Sequence, residues 1–311
     1  MAQEKIALLV MAYGTPSNLG EVEAYYTHIR RGNPPTPEKL QELIERYEAI
    51  GGVSPLNQIT QSQVANLEKQ LNEKSKDYHF TAYMGMKHAH PFIEEAIEQL
   101  AKDGFTRAVG IVLAPHYSSM SVGVYIKTAE EAAEKYGVEI SPIKDYHLET
   151  NFIQALVDRV DDTRLKFPEE KRREVFVLFT AHSLPARILE MKDPYPEQLR
   201  ETAIAIADQL GIRNWDTGWQ SAGQTAVPWL GPDILEHMKS LREQGVTDLI
   251  VCPIGFVSDH LEVLYDIDIE CQKLAGELGI HLERTPSLNA DPVYIDALAS
   301  TVLHKLKASK E

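Results

Sequence analysis

Four uninterrupted apolar runs constrain this chain more than any other feature. They read IALLVMA from Ile6, VGIVLA from Val109, VFVLFTA from Val175 and LIVCPIG from Leu249. Runs of this kind, with no polar alternation, suit parallel strands buried on both faces. Each falls far short of the ~20 residues that a membrane helix needs. Strands are expected at 6–12, 79–84, 108–114, 139–143, 174–180, 216–220, 248–253 and 281–284. Amphipathic patterns at 37–49, 58–72, 91–102, 152–166, 197–210 and 232–244 predict the helices between them, with a terminal helix over 292–306. Strands alternating with helices of this length indicate βαβ units and parallel sheets.

Two short echoes divide the chain. The first apolar run ends in A-Y-G-T-P at 12–16 and the third in A-H-S-L-P at 181–185. Residues 111–115 and 250–255 both pass from an apolar strand to a proline and a loop. The reading is two similar α/β domains, 1–170 and 171–311, joined by the charged connector PEEKRRE near 168–173, with the last helix crossing back to the first. Open parallel sheets bind ligands beyond the carboxyl ends of their strands. That rule selects the loops 13–17, 85–88, 115–121, 182–184, 220–224 and 255–260.

Charge and cysteine content narrow the function. The 31 basic and 46 acidic residues leave a net charge of −15, which disfavours nucleic acid and an anionic membrane surface as partners. A local basic pocket for a small anion is still allowed. Two cysteines, Cys252 and Cys271, make neither a disulfide framework nor a four-cysteine iron–sulfur cluster, and they suit a reducing compartment. The start MAQEKIALLV does not read as a signal peptide, so the cytoplasm is the expected location. The dinucleotide and triphosphate glycine loops, C-x-x-C, H-E-x-x-H and G-x-S-x-G are all absent.

Three clusters could carry chemistry. His182 follows a buried strand, where it can act as a general base, a metal ligand or an ordinary hydrogen-bonded loop residue. Glu262, Asp266 and Glu270 recur every four residues. On an α-helix each such step overshoots a turn by about 40°, so they form one acidic stripe. A solvated acidic face or a site for a hard cation both fit that stripe. Arg30, Arg31 and Arg46 stand near Gly51 and Gly52 and can hold a carboxylated ligand, or simply pair with neighbouring glutamates. Tyr13, Tyr117, Tyr125, Trp219 and Trp229 lie near strand ends, suited to an aromatic pocket or to core packing.

Together these motifs resemble bacterial ferrochelatases, and among them the coproporphyrin III ferrochelatases of Gram-positive bacteria. The resemblance runs through L-V-M-A-Y-G-T-P, Y-Y-T-H-I-R-R-G, R-Y-E-A-I-G-G-V-S-P-L, V-L-A-P-H-Y-S, L-F-T-A-H-S-L-P with D-P-Y-P, G-W-Q-S-A-G, P-W-L-G-P-D and G-F-V-S-D-H-L-E-V-L-Y-D, in order along nearly the whole chain. It implies two doubly wound, Rossmann-like domains of chelatase type, facing each other across a cleft in a monomer. It implies insertion of Fe(II) into a porphyrin, with release of two protons. His182 and Glu262 match the catalytic and metal-contacting pair. Asp266 and Glu270 match an outer pair that can hold a divalent ion such as Mg. Tyr13 matches the residue facing the metal from the other side of the macrocycle. Arg30, Arg46, Tyr47, Ser54 and Tyr125 match contacts to the porphyrin and its propionates. No permanently bound cofactor and no stable membrane insertion are implied. Arginines in so acidic a chain favour coproporphyrin, with four carboxylates, over protoporphyrin IX, with two. The competing readings are a protoporphyrin enzyme, a cobalt or nickel chelatase, a porphyrin or haem carrier without turnover, and a hydrolase using Ser183 with His182.

Overall fold

In a computed structural model that describes residues 3–223 and 225–308, the four apolar runs become the central strands of two parallel sheets. The first sheet has the order β2-β1-β3-β4, from β1 (Glu4–Ala12), β2 (Tyr78–Met86), β3 (Arg107–Val112) and β4 (Glu139–Pro142). The second has the order β6-β5-β7-β8, from β5 (Phe176–His182), β6 (Trp215–Gln220), β7 (Asp248–Cys252) and β8 (His281–Arg284). The two orders are the same permutation, and every pairing is parallel. The most apolar strands take the middle, where both faces are covered and both edges are paired. All eight expected strands are present. One boundary differs usefully: β5 runs on to His182, which pairs with Gln220 and so is the strand's last residue.

Helices cover both faces of each sheet. They are α1 (Val22–Ile29), α2 (Pro37–Ala49), α3 (Leu56–Lys74), α4 (Ile93–Lys102), α5 (Val122–Tyr136), α6 (Thr150–Arg164), α7 (Tyr195–Leu210), α8 (Ile234–Glu243), α9 (Gln272–Leu278) and α10 (Pro292–Ala308). Along β1, Ile6, Leu8 and Val10 join one apolar cluster while Ala7, Leu9 and Met11 join another with α4 and α5. The period of two sends alternate side chains to opposite faces. The first cluster continues through α3, α6, α10 and α7 to Val177, Phe179 and Ala181 of β5, so one core serves both sheets. The last helix packs on α3 and α6. There Asp296 accepts hydrogen bonds from Gln70 and Asn151 and pairs with Lys74.

The acidic stripe departs from expectation. Residues Val263–Cys271 form a π-helix and not an α-helix. Its i→i+5 bonds hold more than four residues per turn. A four-residue step therefore falls short of a full turn, and the stripe leans the opposite way from an α-helical one.

Candidate active site where the two sheets meet

In a sheet of order 2-1-3-4, the crevice opens between the first and third strands, where the winding reverses. Here that places it at the ends of β1 and β3 in one half and of β5 and β7 in the other. Both crevices border a single cavity of about 890 Å³. Each of the six loops selected from the sequence contributes a wall residue, although Gln224 lies outside the described residues. Tyr13, Arg30, Arg46, Tyr47, Ser54 and Tyr125 line it from the first half. His182, Glu262, Asp266 and Glu270 line it from the second. Arg31 and the aromatic residues Tyr117 and Trp219 are not among the lining residues; Trp219 is buried instead, its ring 5.7 Å from that of Tyr195.

His182 has a defined tautomer. Its Nδ1 meets the carbonyl of Ser183, which can only accept, so Nδ1 carries the hydrogen. Nε2 then faces Glu262, 3.5 Å from Oε1. His260 repeats the arrangement: Nδ1 donates to the Ser258 carbonyl at 2.9 Å, and Nε2 lies 3.4 Å from the other oxygen of Glu262. Burial works against ionisation of Glu262, but the charge and hydrogen bond of His182, and after them the hydrogen bond of His260, outweigh it and hold its pKa well below the carboxylate range. Burial also lowers the pKa of His182, and the charge of Glu262 reverses this to give a net rise. Gln220, fully buried, fixes the backbone beneath: its amide donates to the Glu262 carbonyl at 3.3 Å. Ser183 is committed elsewhere, donating to the Leu230 carbonyl at 2.8 Å from a buried position, which leaves the hydrolase reading without a nucleophile.

The Tyr13 wall is built by local backbone constraint. Gly14 follows it at φ +82°, where a Cβ would come within 2.8 Å of Ala89 Cβ. The Asn57 side chain clamps Thr15 through both its N–H (3.1 Å) and its carbonyl (2.8 Å). The Thr15 and Tyr47 hydroxyls meet at 3.0 Å. Tyr13 is 41% exposed, and Lys87 approaches its ring at 5.9 Å and that of Tyr125 at 5.1 Å. Burial holds the Tyr125 phenol neutral, well above its ordinary range.

At the rim, Arg46 pairs with Asp266 at 2.5 Å and stands 4.0 Å from Glu270. Ser221 donates to the other oxygen of Asp266. Burial and the charge of Glu262 raise the Asp266 pKa to about 6 against these partners. His260, Ser221, Asn57 and Lys87 were not picked out as site residues from sequence. The strand-end rule had marked the loops of His260, Ser221 and Lys87, but nothing local marks Asn57, which acts from the first turn of α3.

The ferrochelatase family model matches residues 5–306. The chain belongs to the ferrochelatase family. It is 50% identical over 308 residues to the coproporphyrin III ferrochelatase of Bacillus subtilis (strain 168), covering 98% of this chain and 99% of that protein. It is 51% identical over 313 residues to the coproporphyrin III ferrochelatase of Halalkalibacterium halodurans, covering 100% of each. Among solved structures, SirB from Bacillus subtilis with Fe3+ aligns with a TM-score of 0.62 at 14% identity, over 99% of this chain and 98% of that one. CbiX, the terminal enzyme for siroheme biosynthesis in denitrifying bacteria, aligns at 0.54 and 11% identity, over 96% and 98%. At such identities the likeness concerns the fold alone. It is the chelatase fold of two facing parallel sheets that this ferrochelatase shares.

Proposed function

We infer that this ferrochelatase inserts Fe(II) into coproporphyrin III, making iron coproporphyrin III for haem synthesis and releasing two protons. The observation that carries this reading is the His182 Nε2 turned toward Glu262 in the cleft of a chain about half identical to coproporphyrin III ferrochelatases. The two pyrrole protons must leave as iron enters. His182 Nε2 takes a proton or a metal ion, never both at once, because a protonated imidazole has no lone pair to give. Glu262, held ionised between two imidazoles, stabilises the imidazolium that His182 becomes on taking a proton, and shares the incoming cation. Tyr13 faces the metal from the first half. Arg30 and Arg46 meet propionates, while Tyr47, Ser54 and Tyr125 complete the porphyrin contacts. Lys39 and Lys87 add cations to the same cavity, which suits a substrate with four carboxylates.

The paired carboxylates Asp266 and Glu270 have the oxygen donors that a divalent ion such as Mg prefers, and such an ion would take the ground that Arg46 now occupies. The two free, buried cysteines support a cytoplasmic reading. Among the described residues no helix is long and apolar enough to cross a membrane. We take the protein as a monomer with domains 1–170 and 171–311.

The test is anaerobic turnover of coproporphyrin III against protoporphyrin IX with Fe(II), followed by absorbance. Wild type should metallate coproporphyrin faster over many turnovers, and His182→Ala should lose at least a hundredfold in rate, the usual worth of a positioned acid–base group. Tight porphyrin binding without turnover in wild type would establish a carrier instead.

A further inference from the structure

Arg46 reaches from α2 across the cleft into the other half of the molecule. Its Nη2 lies 2.5 Å from Asp266 Oδ1, and its guanidinium stacks over the Tyr265 ring at 4.4 Å. Asp266 is only 6% exposed. Beside this pair, Leu261 and Tyr265 pack against Val22 and Tyr47, closing the α1–α2 hairpin onto the second half. The same Arg46 lines the cavity that the reading above assigns to a carboxylated porphyrin. A guanidinium fork matches one carboxylate well at a time. Two carboxylates, one from the protein and one from the substrate, therefore contend for one cation.

We propose that Asp266 is a built-in competitor of the substrate, which a porphyrin carboxylate must displace from Arg46 in order to bind. Displacement does not strand Asp266, because Ser221 still donates to it. The arrangement has a use in turnover. The metallated product carries the same carboxylates as the substrate, so an unopposed arginine would hold both equally, and such uniform binding adds nothing to kcat. A competing carboxylate in the wall weakens the hold on both and helps the product leave.

The inference rests on Arg46 being a carboxylate contact, and one experiment separates the two claims. Metal-free coproporphyrin III is titrated by fluorescence into wild type, Asp266→Asn, Arg46→Ala and the double variant. Asp266→Asn should bind about tenfold more tightly, the worth of one charge-assisted hydrogen bond. The gain should vanish in the double variant and with the uncharged tetramethyl ester of coproporphyrin. Equal or weaker binding by Asp266→Asn, with Arg46→Ala weakened, overturns the competition alone. Unchanged binding by Arg46→Ala overturns the carboxylate contact, and the competition with it. Should Asp266→Asn fail to fold, Asp266→Ser carries the same expectation.

Discussion

Glu262 sits between two imidazoles, and that position sets what His182 can do. Only the neutral ring has an Nε2 lone pair for a proton or for iron. The charge of Glu262 raises the His182 pKa, so the competent form gains ground as pH rises through that raised value. Replacing Glu262 by Gln removes the charge and leaves burial, which acts the other way. The Ser183 hydrogen bond and the charge of Asp266 still oppose burial, so the His182 midpoint should fall from its raised value, and the competent form should persist to lower pH. An NMR titration of the His182 Cε1 proton reads this without needing turnover. A midpoint that stays where it was in wild type would remove Glu262 as the source of the shift.

The loop after β7 brings Glu262 and His260 to β5, and one glycine sets how near it comes. A Cβ on Gly255 would lie 2.4 Å from Ala181 Cβ and 2.8 Å from Ala181 Cα. The Gly255 N–H also donates to the Thr180 carbonyl at 3.0 Å. Gly255→Ala must push the loop off the strand that ends in His182. The expected cost is about 1–3 kcal/mol in urea denaturation, as for other overpacked sites, with a loss of metallation rate beyond what the stability change explains. Wild-type values for both would mean the loop has slack. Farther along, the π-helix turns Asp266 toward Arg46 and Ser221, and π-helical turns recur at functional sites because they re-aim side chains.

One apolar core runs from the first sheet to the second through α6, α7 and α10, so the two walls of the cleft are not free to melt apart. Leu298 of α10 lies within it, fully buried. Leu298→Ala should cost about 2–5 kcal/mol. Circular dichroism and the fluorescence of Trp215, Trp219 and Trp229, all in the second half, should fall in one coincident transition. Two separated transitions would show that the halves fold independently. The same core explains why a helix at the far end of the chain packs on α3 and α6.

How much of this was legible without tertiary structure depends on how local each signal is. Runs such as IALLVMA and VFVLFTA report burial on both faces, so the parallel sheets and their central strands follow from sequence alone. The strand-end rule then marks the loops of Tyr13, His182 and His260, the carboxylate spacing marks Glu262, and the family resemblance attaches roles to them. Other features have no local signal. Arg46 and Asp266 stand 220 positions apart, and only the docking of the α1–α2 hairpin makes them partners. Asn57 looks like any polar residue at a helix start until it is seen holding Thr15. The i, i+4, i+8 spacing of Glu262, Asp266 and Glu270 suits an α-helix, yet the chain there is π-helical. Hydrophobic periodicity records which side of a segment is buried. Which segments meet across a cleft is decided by packing between distant parts of the chain.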